Sequence, residues 1–123
     1  MDLFLNRFLK NRKEGLFFWL LIIFSLSLTP GNYIPKVGFS YTDLIVHFVF
    51  YAILSTLAYF SLYHKMNQKI AFVIFIISAL IGFIVEILQG ALPIGRFFDW
   101  SDVLFNSMGA TMVLFLYFLN KRI

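Results

Sequence analysis

Cysteine is absent from the 123 residues, and charge and proline are scarce. Without cysteine the chain has no disulfide framework and no thiol chemistry. Only 13% of the residues are charged, whereas 61% are hydrophobic and 20% are aromatic. Because this apolar fraction exceeds what a domain of this length can bury, part of it must face lipid.

The sequence consists largely of long apolar runs. A helix needs about 20 apolar residues to cross a hydrocarbon core roughly 30 Å thick. Four runs approach this length, at residues 16–29, 43–63, 70–92 and 102–119. They predict an all-α, polytopic membrane protein, a four-transmembrane-helix bundle that forms a single domain over residues 1–123.

The first run is the shortest, and two interpretations of it stay open. The basic stretch before it is also typical of a cleavable signal peptide, with residues 25–27 as a weak small-x-small cleavage site. The alternative is a retained first span, tilted in the membrane and preceded by a segment lying flat on the surface. That segment mixes the basic Arg7 and Lys10 with the apolar Leu3, Phe4, Leu5, Phe8 and Leu9.

The distribution of lysine and arginine predicts the orientation. With the N-terminus inside, the inner side carries eight basic residues, and the outer side carries only Lys36 and Arg96. Both termini are therefore predicted to be cytoplasmic, and residues 30–42 and 93–101 form the outer loops. The net charge of +4 sits at the edges of apolar runs, which favours contact with a membrane surface and no nucleic-acid partner.

Three of the predicted helices each carry one polar or small-residue face. Steps of three or four residues along a helix return to the same face. His47 and Asn106 lie about 6 Å inside their helices and Glu86 about 9 Å, so the three share one level in the outer half of the bundle. The sequence predicts a pocket there, with nine candidate binding residues: Asp43, His47, Tyr51, Glu86, Gln89, Arg96, Asp99, Asp102 and Asn106.

Glu86 is the member of this set that is most costly to place inside a membrane. An ionised carboxylate at the centre of a lone helix costs about 2.5–3.5 kcal/mol on insertion scales, so Glu86 should face the bundle interior, either protonated or paired. His47 and Arg96 are its expected partners, although Arg96 can instead form a two-pronged pair with Asp99. A purely structural interpretation remains, in which polar residues only fix helix register and "DWSD" caps a helix.

A metal or other cofactor is not expected from the sequence. The pocket would offer one histidine, with carboxylates for the remaining ligands, whereas catalytic zinc sites usually hold more nitrogen ligands.

These residues resemble the VanZ-like family of small bacterial membrane proteins. The match runs through Asp43-x-x-x-His47-Phe48-x-x-Tyr51, then Glu86-x-x-Gln89, and then Pro93, Gly95-Arg96, Asp99, Asp102, Asn106 and Gly109, within residues 30–118. It departs at Leu44, where the family often has a basic residue, and at Ile94, which interrupts a common Pro-Gly-Arg. The resemblance implies a multi-pass protein of the bacterial plasma membrane with a role at its outer face, in cell-envelope or glycopeptide antibiotic response.

Three functions are compatible with the sequence. The first is binding of a lipid headgroup, a cell-wall precursor or a lipophilic glycopeptide. The second is an intramembrane enzyme acting on a lipid-linked substrate, with His47 as general base, Glu86 as general acid and Arg96 stabilising charge, although no nucleophile motif is present. The third is an assembly subunit, either a homo-oligomer or docked to another membrane protein through Ser78-x-x-x-Gly82 and Gly109-Ala110.

Overall fold

The computed structural model describes residues 3, 7, 10–34 and 41–122. Within these ranges the chain forms helices and turns and no β-strand, which confirms the predicted all-α fold class. The described helices are α1 (Arg12–Ser27), α2 (Thr42–Ser61), α3 (Gln68–Ala91), α4 (Trp100–Ala110) and α5 (Met112–Lys121), with 3-10 turns at Gly31–Tyr33 and Tyr63–Lys65. Phe4, Leu5, Phe8, Leu9 and Lys36, which enter the surface-segment and orientation predictions, lie outside the described residues.

Among the described residues, three helical stretches are long and apolar enough to cross a membrane. They are α2, α3 and the stretch Trp100–Lys121, in which α4 and α5 follow each other directly. The helix α1 has 16 residues and is therefore about 24 Å long, which is short of a hydrocarbon core of roughly 30 Å. A fourth span at residues 16–29 and the cytoplasmic termini accordingly stay predictions.

Local sequence sets the helix ends. Pro30 follows α1 and offers no N–H to continue it. Asn67 caps α3 by accepting a hydrogen bond from the Ile70 amide at 2.9 Å, and Asp99 caps α4 in the same way through the Ser101 amide at 2.7 Å. Between α4 and α5, the Thr111 hydroxyl donates to the Met108 carbonyl at 2.6 Å, a bond that competes with the regular helical ladder.

The central helix is α2, which packs against α1, α3, α4 and α5. Its contact with α4 is close because Gly109 has no side chain. A Cβ at that position would collide with the carbonyl oxygen of Phe48 and lie 2.9 Å from the Ala52 amide nitrogen. The Gly31 amide donates to the Ile94 carbonyl at 2.8 Å. This bond joins the end of α1 to the loop after α3, and side-chain contacts bring the start of α2 and the start of α4 to the same place. This end of the bundle is called here the site end.

Apolar side chains fill two buried clusters and also cover the outside. Ile23, Tyr51, Leu54 and Val85 form the first cluster, and Tyr59, Ala71, Ile74 and Val113 form the second. Many large apolar side chains are nevertheless exposed, including Phe17 on α1, Ile45 on α2 and Ile76 on α3. A helix that is apolar on its outward face as well as its inward face is suited to a lipid environment.

Candidate functional site

His47 and Asn106 join α2 to α4 inside the bundle. His47 lies one turn after Asp43 on α2, and its Nδ1 is 2.8 Å from Asn106 Oδ1. The Asn106 Nδ2 donates to the Gly82 carbonyl of α3 at 3.3 Å. Because a carbonyl can only accept, this bond fixes the orientation of the amide, and Asn106 Oδ1 must then accept from His47 Nδ1–H. In neutral His47 the lone pair therefore belongs to Nε2.

The Nε2 of His47 faces two carboxyl groups. It lies 3.4 Å from Asp102 Oδ2, and one ligand atom from each of His47, Glu86 and Asp102 lies within 4.8 Å of the others. Glu86 is fully buried, and its Oε1 accepts from the Asp99 amide at 2.9 Å. We call His47, Glu86 and Asp102 the carboxylate–imidazole cluster. α2, α3 and α4 thus meet through polar side chains, as their spacing predicts, and a ligand-binding role for these residues stays a prediction.

Two buried polar atoms in this region have no hydrogen-bond partner among the described residues. They are Glu86 Oε2 and the Tyr51 hydroxyl oxygen. Tyr51 is 1% exposed and packs in the first apolar cluster, beside Ile23 and Val85. Since a buried polar group without a partner costs roughly 1–3 kcal/mol, such atoms are uncommon in a purely structural core.

A cavity of about 320 Å³ opens beside the cluster at the site end. His47 belongs to both, because it lines the cavity and bonds within the cluster. Leu26 and Val46 line the cavity and are themselves exposed, so the cavity is open beside these apolar side chains. The lining residues are Leu26, Ser27, Thr29, Tyr33, Ile34, Thr42, Asp43, Val46, His47, Phe50, Gln89 and Arg96.

Arg96 makes a contact that differs from both predicted ones. Its guanidinium donates to the Ser27 carbonyl at 3.2 Å, and Gln89 Nε2 donates to the same oxygen at 2.7 Å. Within residues 10–34 and 41–122, no ion pair joins Arg96 to Glu86 or to Asp99, so both expected pairings are wrong. The reason is that α1 ends at Ser27 and the Gly31 amide, which would continue the helix, donates to the Ile94 carbonyl instead, so the Ser27 carbonyl is left to accept side-chain donors.

Asp99 also differs from its predicted place at the pocket mouth. It is exposed, its carboxylate caps α4, and it is not among the residues that line the cavity. It reaches the cluster only through its backbone amide, which binds Glu86. The capping interpretation of "DWSD" therefore holds for Asp99, whereas Asp102 in the first turn of α4 pairs with His47.

The sequence did not point to the contribution of α1. Leu26 and Ser27 of its last turn and Thr29 just after it line the cavity. Trp19 Nε1 donates to the Phe50 carbonyl at 2.9 Å, which joins α1 to α2. A signal was available in Pro30-Gly31, because this pair predicts the end of a helix, and the last turn of a helix has carbonyl groups without a partner inside the helix.

The sequence matches the model of a known protein family. The model of the VanZ/LLP1 family matches residues 15–121, a range that takes in most of α1 and all of α2 to α5. The chain belongs to the VanZ/LLP1 family. The resemblance drawn from Asp43, His47, Glu86 and the residues after Pro93 is thereby confirmed, and the match extends it to α1. No curated protein and no solved structure matches this VanZ/LLP1 chain.

Small-residue faces proposed for docking are occupied within the chain itself. A Cβ on Gly82 would lie 2.8 Å from Asn106 Cβ, and Gly109 abuts α2. Ser78 and Ala110 are buried as well. These faces bring the protein's own helices together, and docking to a partner or a second copy stays a prediction.

Proposed function

We propose that this VanZ/LLP1 protein binds an amphipathic lipid, with the anionic headgroup in the cavity at the site end and an acyl or prenyl chain along its apolar side. The observation that carries the proposal is the composition of the cavity wall. Its lining includes the polar Arg96, His47 and Asp43 as well as the apolar Leu26, Val46 and Phe50. Polar and apolar walls in one cavity match a ligand that has both characters.

Arg96 is the group suited to hold a phosphate or carboxylate. A guanidinium presents donors in a planar fork that matches such anions. One guanidinium nitrogen, Nη1, donates to the Ser27 carbonyl, and this bond orients the side chain. Asp43 lines the same cavity and is exposed, so it is placed to accept hydrogen bonds from hydroxyl or ammonium groups of a headgroup.

The size of the cavity favours a lipid over an intact glycopeptide. About 320 Å³ lies at the lower end of the roughly 300–1,000 Å³ typical of ligand pockets. A headgroup and the beginning of its chain fit this space. A glycopeptide antibiotic is several times larger, so only its lipid tail would enter. The ligand class we propose is therefore a phospholipid or a lipid-linked envelope precursor.

The placement in the cell is part of the same proposal. We infer a bacterial plasma membrane protein with cytoplasmic termini. The reason is that the end of the molecule opposite the site carries more lysines and arginines than the site end does, and such residues favour the cytoplasmic side. With this orientation the cavity opens at the outer leaflet, where lipid-linked cell-wall intermediates are used.

Native mass spectrometry of the detergent-extracted protein tests the proposal. The expected result is a co-purified lipid of defined mass, lost in Arg96→Ala. Arg122→Ala is the matched control, because Arg122 is exposed and follows α5 at the other end of the bundle. Wild-type protein that retains no lipid above background would overturn the proposal, as would equal retention by Arg96→Ala and wild type.

A second candidate is catalysis on the same lipid class. The observation that favours it is the carboxylate–imidazole cluster, since His47 lines the cavity and lies beside the buried Glu86. A general base next to a buried carboxyl group is typical of acid–base sites. Turnover of a polyprenyl-linked or phospholipid substrate that disappears in His47→Ala would support catalysis. A cellular phenotype that survives both His47→Ala and Glu86→Gln would exclude it.

A further inference from the structure

We propose that the carboxylate–imidazole cluster binds one first-row divalent metal ion, with His47, Glu86 and Asp102 as its protein ligands. Mn²⁺ and Zn²⁺ are the ions that suit this donor set. The proposal concerns the cluster alone and does not depend on lipid binding in the adjoining cavity.

The protonation state of His47 is the first argument. Asn106 Oδ1 accepts from Nδ1–H, and the Asn106 amide is itself fixed by the Gly82 carbonyl. The Nε2 lone pair then points at Asp102 Oδ2, another acceptor, only 3.4 Å away. Two acceptors facing each other need either a proton or a cation between them.

The second argument is the balance of charge. Two carboxyl groups lie within 4.8 Å of one imidazole nitrogen, and Glu86 is fully buried. Over residues 10–34 and 41–122, no lysine or arginine forms an ion pair with either of them. Buried charges in proteins are normally paired or bound to a metal. A divalent cation supplies the missing positive charge.

Glu86 Oε2 gives an independent sign of a missing ligand. It is buried and has no hydrogen-bond partner among the described residues, whereas Oε1 of the same carboxyl group is held by the Asp99 amide. One oxygen is thus oriented by the protein and the other is left free. A metal ion in the cluster would bind the free oxygen.

The surrounding contacts resemble those that support metal ligands. A ligating histidine almost always donates its other ring N–H to an oxygen, and ligating carboxylates are themselves hydrogen-bonded. Asn106 performs the first role for His47, and the Asp99 amide performs the second for Glu86. Neither contact was visible in the sequence, where a single histidine counts against a metal.

The donor set restricts the class of metal. One imidazole nitrogen with carboxylate oxygens suits Mn²⁺ and Zn²⁺, which accept both kinds of ligand, and a chain without cysteine offers no thiolate donor. Three protein ligands leave further coordination positions for water or another ligand.

Metal binding to the detergent-purified full chain tests the proposal. The protein is stripped with a chelator and loaded separately with Mn²⁺ or Zn²⁺. Metal per chain is then measured by mass spectrometry, and the Mn²⁺ form is examined by electron spin echo spectroscopy. We expect one ion per chain and a single coupled ¹⁴N nucleus from His47. His47→Gln should abolish the ¹⁴N coupling, and Asp102→Asn should weaken binding by about tenfold or more.

Two exposed residues away from the cluster provide matched controls. His64→Gln and Glu14→Gln remove an imidazole and a carboxylate elsewhere and should leave stoichiometry and coupling unchanged. Wild-type protein that binds neither Mn²⁺ nor Zn²⁺ stoichiometrically overturns the proposal without reference to any variant. A ¹⁴N coupling that persists in His47→Gln overturns it too, because the ion would then occupy a different site.

Discussion

Asn106 is the residue on which the geometry of the site most directly depends. It contacts His47 on one side and the Gly82 carbonyl on the other, so one side chain connects α2, α3 and α4. The spacing of Asp102 and Asn106 predicts a polar helix face, but spacing alone carries no information about the amide orientation. That orientation is set by a backbone carbonyl of α3, whose position depends on how the helices pack.

Replacement of Asn106 by leucine should destabilise the protein. It leaves His47 Nδ1–H and the Gly82 carbonyl without partners, at about 1–3 kcal/mol for each buried group. Unfolding in mixed detergent, monitored by circular dichroism, measures the change. Asn32→Leu serves as the control, because Asn32 is exposed and its replacement leaves no buried polar atom unpaired. Equal stability of Asn106→Leu and wild type would contradict the hydrogen-bonded network.

The effect of Glu86→Gln on stability distinguishes a functional role of this residue from a structural one. Glu86→Gln retains an oxygen to accept from the Asp99 amide and removes a buried carboxyl group. We expect the ligand-free protein to be as stable as wild type or more stable, because buried charge is costly and functional sites often sacrifice stability. Gln89→Leu, which removes the bond to the Ser27 carbonyl, should instead be destabilising. A loss above about 2 kcal/mol in Glu86→Gln would indicate that Glu86 serves mainly to hold the fold.

At the scale of elements, the helices were more predictable than the connections between them. Apolar runs predicted α2, α3 and the stretch from α4 to α5 to within two residues at their ends, because hydrocarbon thickness fixes span length. Asp99 as a helix cap could be predicted from "DWSD", but the partner of Arg96 could not, since Arg96 lies in the loop before α4. Its contact depends on a backbone carbonyl at the end of α1, rather than on helical spacing.

The contact between α2 and α4 depends on Gly109. Gly109→Ala should force the two helices apart, because the new Cβ meets the backbone of Phe48 and Ala52, and overpacking of this kind costs about 1–3 kcal/mol. Gly15→Ala is a matched control on α1, where an added Cβ meets nothing within 4 Å. There the higher helix propensity of alanine should stabilise the protein by about 0.5–1 kcal/mol. Thermal unfolding compares the two, and a tolerated Gly109→Ala would argue against this packing.

At the scale of the whole molecule, the described helices form a bundle whose polar groups gather at one end and whose outer surface is apolar. The family and the membrane-type architecture follow from hydropathy and from residue spacing, and both are confirmed. Residue spacing could not reveal the role of α1, because this helix carries no polar stripe and enters the site through its last turn and its backbone.

The orientation of the molecule can be tested because the chain has no cysteine of its own. We expect a membrane-impermeant maleimide to label Asn32→Cys in intact cells, since Asn32 lies in the site-end loop. His64→Cys and Arg122→Cys should react only after permeabilisation, because both positions lie at the opposite end. All three positions are exposed. The reverse labelling pattern would place the cavity at the cytoplasmic leaflet.

The most direct test of the polar site is to measure which ring nitrogen of His47 is hydrogen-bonded in the folded protein. With His64→Gln, only one histidine remains, and ¹⁵N-histidine NMR then reports on His47 alone. The contact with Asn106 predicts one ordered ring that holds a proton on Nδ1, and the contact with Asp102 predicts an Nε2 that is protonated or metal-bound. The Nδ1 signal should change when Asn106→Leu is added. A solvent-like mixture of tautomers that Asn106→Leu does not change would contradict the meeting of the three helices at this site.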